Sequence, residues 1–273
     1  MRVASVQAPV VFGDPLANAD YAVAQLRELA ADGVNLAVFP EAFLTGYCVK
    51  TRMDASAIAI PSNHEALTTL QSAVDELGMG VVVGFAENRL HNFFNTAALL
   101  LPGAKPQYYR KTHLPELGLD RFVMRGDSLP VFTTPWGQVG ILICFDLRPP
   151  EAARVLALNG AEVILVPTNW PNGATMAADT LSVARAAENR VYLVSCNRVG
   201  EENGFGFIGR SKIVDPLGRI LAAAEGDEQV LVHDLDLAVA REKRTVTIPG
   251  EYETTVFQSR RPELYGDLTT VHL

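Results

Sequence analysis

Eight short apolar runs punctuate this chain, and no other feature narrows its folding options as much. They are Arg2–Ala8, Asn35–Phe39, Met79–Ala86, Asn95–Leu101, Gln138–Ile143, Glu162–Pro167, Val191–Cys196 and Phe207–Val214. Each holds five to eight residues rich in Val, Ile, Leu and Ala, the length and content of strands covered on both faces. Between several of them the spacing is helical, at Pro15–Ala31, His64–Leu77, Pro149–Leu158 and Met176–Arg190. Asp14-Pro15 is a helix start and Asp32-Gly33 a helix stop. Strands alternating with helices predict an α/β fold. Asn95–Lys111 and Val131–Ile143 read instead as hairpins, with turn signals at Leu101-Pro102-Gly103 and Pro135-Trp136-Gly137. The sheets are therefore expected to be mixed.

The 273 residues show no composition shift that would mark a linker, so one domain over 1–273 is expected. From about Pro249 the periodicity fades, which predicts a tail packed on this chain or on a partner. No apolar run approaches the roughly 18 residues that a membrane helix needs. With 31 acidic against 23 basic side chains the net charge is −8. The densest basic cluster, Arg241, Lys243 and Arg244, is too short to track phosphates, so neither a membrane nor a nucleic acid is an expected partner. Three cysteines make no disulfide framework, and the N-terminus reads as a strand rather than a signal peptide. A cytoplasmic location is the expectation. Gly33–Phe43 also echoes Gly160–Trp170, Gly to Pro in the same spacing, which suggests two related halves or a chance likeness of two generic helix–Gly–strand units.

In α/β sheets, sites gather at the carboxyl ends of strands. Glu41, Lys111, Cys144 and Asn169 each follow or end an apolar run. A thiol is mostly protonated at neutral pH and needs an activator. A carboxylate can take its proton and return it to a leaving amine. An ammonium favours the thiolate and faces the oxyanion formed when sulfur attacks a carbonyl carbon. Pro149 and Pro150 suit a first helical turn, which places Cys144 on a strand-to-helix bend with backbone N–H groups nearby. Taken singly, each residue has a plainer use: Cys144 as a small buried hydrophobe, Glu41 as a helix-start acid, Lys111 as a solvated strand end.

The blocks Phe39-Pro40-Glu41-Ala42-Phe43-Leu44-Thr45-Gly46-Tyr47, Tyr109-Arg110-Lys111-Thr112-His113-Leu114-Pro115 and Gly140-Ile141-Leu142-Ile143-Cys144-Phe145-Asp146-Leu147-Arg148 resemble, in that order, the nitrilase superfamily of carbon–nitrogen hydrolases. Arg185–Arg190, Phe207–Ser211 and Asp215–Gly218 extend the likeness over nearly the whole chain. The resemblance implies a four-layer α-β-β-α sandwich that pairs with a second copy, and a catalytic triad of Glu41, Lys111 and Cys144. It implies a second acid before Gly126-Asp127, for which Asp120 is the stronger candidate and Glu116 the other. It also implies an oxyanion contact from the Phe145 N–H, and a substrate pocket with Asn169, Trp170 and Tyr47. Trp170 serves equally as core packing. Asp146, Arg148 and Glu151 read as an ion-pair network around the bend.

Gly204-Phe205-Gly206-Phe207-Ile208-Gly209 satisfies G-x-G-x-x-G, but a strand-like stretch follows, so a tight turn is expected and no nucleotide. The histidines His64, His91, His113, His233 and His272 are scattered without metal-ligand spacing, and there is no G-x-S-x-G. The expected protein is a cofactor-free, metal-free hydrolase of a small amide, working through a cysteine thioester. Phe145-Asp146 after the cysteine favours amide over nitrile by resemblance, with a nitrilase or an N-carbamoyl hydrolase as alternatives. A silent binding protein of the same fold is the alternative from another class.

Overall fold

The computed structural model describes residues 1–270. In chain order the elements are β1 Arg2–Gln7, α1 Pro15–Ala31, β2 Leu36–Val38, α2 Arg52–Ile58, α3 Glu65–Leu77, β3 Gly80–Arg89, β4 Asn92–Leu100, β5 Gln107–Arg110, β6 Val131–Thr134, β7 Gly137–Ile141, α4 Pro150–Leu158, β8 Val163–Pro167, α5 Ser182–Asn189 and β9 Tyr192–Cys196. There follow β10 Glu201–Glu202, β11 Phe205–Gly206, β12 Lys212–Val214, β13 Ile220–Ala223, β14 Gln229–Asp234, α6 Leu237–Arg241, β15 Thr245–Ile248 and β16 Tyr252–Thr254.

Local chemistry sets these boundaries. The Asp14 carboxylate accepts the Ala17 N–H at 3.0 Å and Pro15 opens α1. Ala19, Ala22, Val23, Leu26 and Leu29 then form its buried stripe. His64 caps α3 rather than joining it: its ring nitrogen accepts the Ala66 N–H at 3.2 Å. Gly78, at φ +69°, ends that helix.

Two six-stranded sheets result, in orders β14-β1-β2-β3-β4-β5 and β13-β12-β9-β8-β7-β6. Each has three parallel strands at its centre, β1-β2-β3 and β7-β8-β9, and antiparallel strands outside. Three buried layers hold them. Leu26, Leu70, Val81 and Phe85 lie between the first sheet and α1 with α3. Leu36, Val82, Ile141 and Leu165 lie between the sheets. Leu142, Leu156, Ile164 and Leu193 lie between the second sheet and α4 with α5. This is the α-β-β-α sandwich with mixed sheets. Burial of both sheet faces explains the continuous apolar runs.

The echoing segments become β2 and β8, the middle strands of the two parallel trios, and they pack against each other across the sandwich. Other features depart from the sequence reading. Phe207–Val214 is strand only over Lys212–Val214, and Gly204 and Gly206 belong to the small hairpin β10-β11. Helix α2 lies outside the helical patterns read from the sequence and is capped by Thr51 and Asp54. The periodicity of β14 is weak because it is an edge strand, yet it pairs with all of β1. Beyond α6 the chain forms a largely exposed hairpin, β15-β16, so Pro249 falls in its turn rather than at the start of a tail. The last part of the expected tail, with His272, lies outside the described residues. Among the described residues, no helix is long and apolar enough to cross a membrane.

Candidate active site

Four chain segments carry the candidate residues, of which Glu41, Lys111 and Asp120 are buried and Cys144 is half-buried. Glu41 follows β2, where Phe39 N–H still bonds Val82 O at 2.9 Å. Ala42 then turns at φ +48° and bends the chain back across β3. Gly84 permits this close approach, because a Cβ there would run into the backbone of Pro40–Ala42. Lys111 follows β5, its N–H held by Asn95 O at 2.9 Å. Asp120 sits in a 3-10 turn, Gly118–Arg121. Cys144 opens another 3-10 turn, Cys144–Leu147, between β7 and α4. Its φ of +46° is unusual for a residue with a Cβ and costs roughly 1–3 kcal/mol.

The ammonium of Lys111 donates to Glu41 Oε1 at 2.7 Å and to Asp120 Oδ2 at 2.5 Å, and all three side chains are buried. Asn95, on β4, donates from one amide nitrogen to Glu41 Oε1 at 2.7 Å and to Asp120 Oδ1 at 2.8 Å. The Tyr47 hydroxyl is 2.8 Å from Asp120 Oδ2 and 3.0 Å from Leu117 O. Two carboxylates thus share one cation. Burial pushes the Glu41 carboxyl up, Lys111 pulls it down, and the Asp120 charge pushes it further up. Burial alone would lower Lys111, but Asp120 and Glu41 together hold its ammonium firmly protonated.

Burial and the Glu41 charge raise the Cys144 thiol to about 12. Lys111, the Thr168 hydroxyl and the Asn169 N–H act in the opposite direction and are outweighed. Lysine favours the thiolate as expected, yet its charge is already claimed by two carboxylates. The resting sulfur is therefore a thiol, and a base must remove its proton during attack. Glu41 Oε2, buried and without a hydrogen-bond partner among the described residues, is free for that task.

Asp146 holds the Cys144 bend. It accepts the Ile143 N–H at 3.0 Å, the Tyr109 hydroxyl at 2.7 Å, the Thr112 hydroxyl at 3.0 Å and the His113 N–H at 2.8 Å. One carboxylate thus ties the cysteine bend to the lysine loop. This replaces the expected ion-pair network: Arg148 and Glu151 are exposed, and Arg185 instead secures the bend by donating to Leu147 O and Arg148 O. Phe145 N–H is among the leading N–H groups of its turn, for which the turn itself offers no carbonyl.

Tyr47 and Asn169 line a slim cleft with Leu117, Pro171, Phe205 and Phe207. Trp170 is buried instead in the apolar layer against α4 and α5, where its indole fills core volume. Glu116 is exposed and outside the cluster. A separate hollow lined by Phe12, Lys50, Asp54 and Asn203 contains no member of the cluster. Cys48 and Cys196 are buried and free, with thiols also raised to about 12, chiefly by burial. What separates Cys144 is its company rather than its acidity. Asn95 escaped the sequence reading; its only signal was a polar side chain within an apolar run. Among the described residues, no group of three or more His, Cys, Asp or Glu side chains is placed to hold a metal.

This fold and cluster define a hydrolase of carbon–nitrogen bonds. Residues 2–245 match the carbon-nitrogen hydrolase family model, and the chain belongs to that family, within the nitrilase superfamily. It is 36% identical over 270 residues to a nitrilase of Pyrococcus abyssi, covering 97% of this chain and 99% of that protein. It is 36% identical over 238 residues to an (R)-stereoselective amidase of a Pseudomonas species, covering 87% and 85%. A cysteine-to-alanine mutant of the Nesterenkonia AN1 amidase superposes with a TM-score of 0.84 at 26% identity, over 98% of this chain and 97% of that one. In another structure of that amidase, the acetamide moiety of fluoroacetamide is covalently added at the active-site cysteine.

Proposed function

We propose that this enzyme hydrolyses a small carboxamide to a carboxylic acid and ammonia, with Cys144 as nucleophile, Glu41 as general base and acid, and Lys111 as oxyanion partner. The observation that carries this is Glu41 Oε1 bonded to Lys111 while Oε2 stands unpaired, beside a thiol too basic to ionise unaided. Glu41 takes the thiol proton as sulfur bonds to the carbonyl carbon. The carbonyl oxygen becomes an oxyanion facing Lys111 and the Phe145 N–H. The carbon–nitrogen bond breaks, the nitrogen takes the proton from Glu41, and ammonia leaves a thioester. Water then attacks, yielding a proton to Glu41. The carbon–sulfur bond breaks, the acid departs, and the proton returns to sulfur.

Asp120 serves as the second acid, holding the Lys111 ammonium together with Glu41. Tyr47 and Asn95 in turn fix Asp120. The chain acts as one domain over 1–273, since Glu41 and Lys111 come from the first sheet and Cys144 from the second. Amide is preferred over nitrile because Phe145-Asp146 follows the cysteine, with a nitrilase or an N-carbamoyl hydrolase as the alternatives.

The test is ammonia release from paired amide, nitrile and N-carbamoyl substrates, with intact-mass analysis of quenched enzyme. The expected result is ammonia release from amides and an acyl adduct on Cys144, both lost in Cys144→Ala. Full turnover by that variant would overturn the proposal. Iodoacetamide labelling that failed to prefer Cys144 over Cys48 and Cys196 would favour a silent binding protein.

A further inference from the structure

Glu202 is a buried carboxylate that the chemistry above leaves unused. It sits on the short strand β10, and its Oε1 accepts two successive backbone N–H groups, Tyr47 at 2.8 Å and Cys48 at 2.5 Å. Its Oε2 accepts from the Arg198 guanidinium at 2.7 Å. Arg198 stands two residues past the end of β9, is likewise buried, and lies over the Phe207 ring at 4.3 Å. Charges this deep gain little stability from pairing, because desolvation offsets the attraction. The use of the pair lies in what it holds.

Tyr47 lies in the irregular loop after β2, where no strand or helix supplies a carbonyl for its N–H. From the point fixed by Glu202 it grips the turn that carries Asp120 twice. Its carbonyl accepts the Leu119 N–H at 2.9 Å, and its hydroxyl is 2.8 Å from Asp120 Oδ2. Ring and turn are in close contact, since a Cβ on Gly118 would overlap the Tyr47 ring. Asp120 in turn accepts from the Lys111 ammonium at 2.5 Å. A continuous set of bonds thus runs from Arg198 and Glu202 through Tyr47 and Asp120 to the ammonium shared with Glu41.

We infer that Glu202 is a positioning residue for the hydrolysis: with Arg198 it clamps the Tyr47–Cys48 backbone, and through Tyr47 it sets where Asp120 draws the Lys111 ammonium. It touches no reacting atom. This rests on the reading of Glu41, Lys111 and Cys144 given above. Loss of the clamp should let Asp120 drift from Lys111 and Glu41. The charged groups facing Glu41 are Lys111 and Asp120, with the Cys144 thiol nearby. A looser Asp120 repels Glu41 less and leaves it more of the ammonium, so the Glu41 carboxyl falls and the base survives to lower pH.

The experiment removes both charges together, so that no lone charge stays buried, and compares two double variants on propanamide. Glu202→Gln with Arg198→Met keeps an acceptor for the two N–H groups; Glu202→Leu with Arg198→Met keeps none. For the leucine pair the expected kcat is about tenfold lower with KM within about twofold, the scale of lost hydrogen bonds to a charged acceptor. Its acid limb of kcat/KM should move to lower pH. The glutamine pair should hold kcat within about threefold of wild type and leave the acid limb in place. Adding Tyr47→Phe to the leucine pair should cost less than about twofold more, because both changes cut one chain of bonds. Where thermal melts show the leucine pair unfolded, Glu202→Asp, which keeps the charge and shortens its reach, takes its place and should show the same shift of the acid limb. Equal losses in the leucine and glutamine pairs, a fully additive loss with Tyr47→Phe, or a lowered Tm with the acid limb unmoved would each show a merely structural role and overturn the inference. Failure of the underlying reading looks different: wild type itself would then form no acyl adduct on Cys144 with propanamide.

Discussion

Strands β2 and β8 hold the same place in the two sheets and lie against each other, yet they end in opposite chemistry. After β2 comes Phe39-Pro40-Glu41; after β8, which ends on Pro167, comes Thr168-Asn169. The first end is charged and bonded, with Glu41 held by Lys111 and Asn95. The second is neutral, with both polar atoms of the Asn169 side chain left without partners among the described residues and the Thr168 hydroxyl acting on the Cys144 thiol. The same strand geometry thus carries a charged, hydrogen-bonded end in one sheet and a neutral end in the other. Each end has its own support. The Glu41 side leans on Asp120, Tyr47 and Asn95, whereas the Asn169 side is held through its flanking backbone, by Cys196 O and the Asn197 side chain.

Removing the cation should damage the charged end most. Lys111→Met leaves two carboxylates buried together, and a broken buried pair costs about 3–5 kcal/mol. Denaturant melts should show that loss, together with turnover near background. Activity close to that of wild type would show that the cluster is dispensable scaffolding.

Glu41→Gln keeps the shape and removes the base. Its kcat for amides should fall about 100- to 10,000-fold in an ammonia-release assay. Turnover near that of wild type would show that the charged end does not supply the base.

The pH profile sharpens the same point. Burial lifts the Glu41 carboxyl above its usual value of 4.5, so the base is present above the raised pKa and lost as pH falls through it. The acid limb of kcat/KM should lie above that of an exposed glutamate and vanish in Glu41→Gln. A limb unmoved by that variant would assign the titration to another group.

The smallest effect should come from Tyr47→Phe. It deletes one of several hydrogen bonds to Asp120, worth about 1 kcal/mol, so kcat/KM should drop roughly fivefold with the fold intact. No change would show that Asp120 is held well enough without Tyr47.

Much of this architecture was legible in one dimension. The apolar runs of β2, β3, β8 and β9 announced strands covered on both faces, and Asp14 and Gly33 marked helix ends. The edge strand β14 and the hairpin β15-β16 were not legible, because exposed strands need not alternate cleanly. Within the site, the residues closing apolar runs stood out as Glu41, Lys111 and Cys144. Asp120 was preferred to Glu116 only by resemblance, since both lie in one loop and it is the path of that loop that turns Asp120 inward while Glu116 meets solvent. Asp146 was visible, but its partners Tyr109, Thr112 and His113 lie more than thirty residues away.

The order of residues by itself determined which faces of each segment avoid water, where helices start and stop, and which reactive groups stand at strand ends, because periodicity and caps are local. Only the tertiary structure decided that two sheets stack so that Lys111 meets two acids, that the sulfur stays protonated, and that Asn169 is buried with nothing to bond. Those outcomes depend on distances between segments far apart in the chain, and the electrostatics of burial follows those distances.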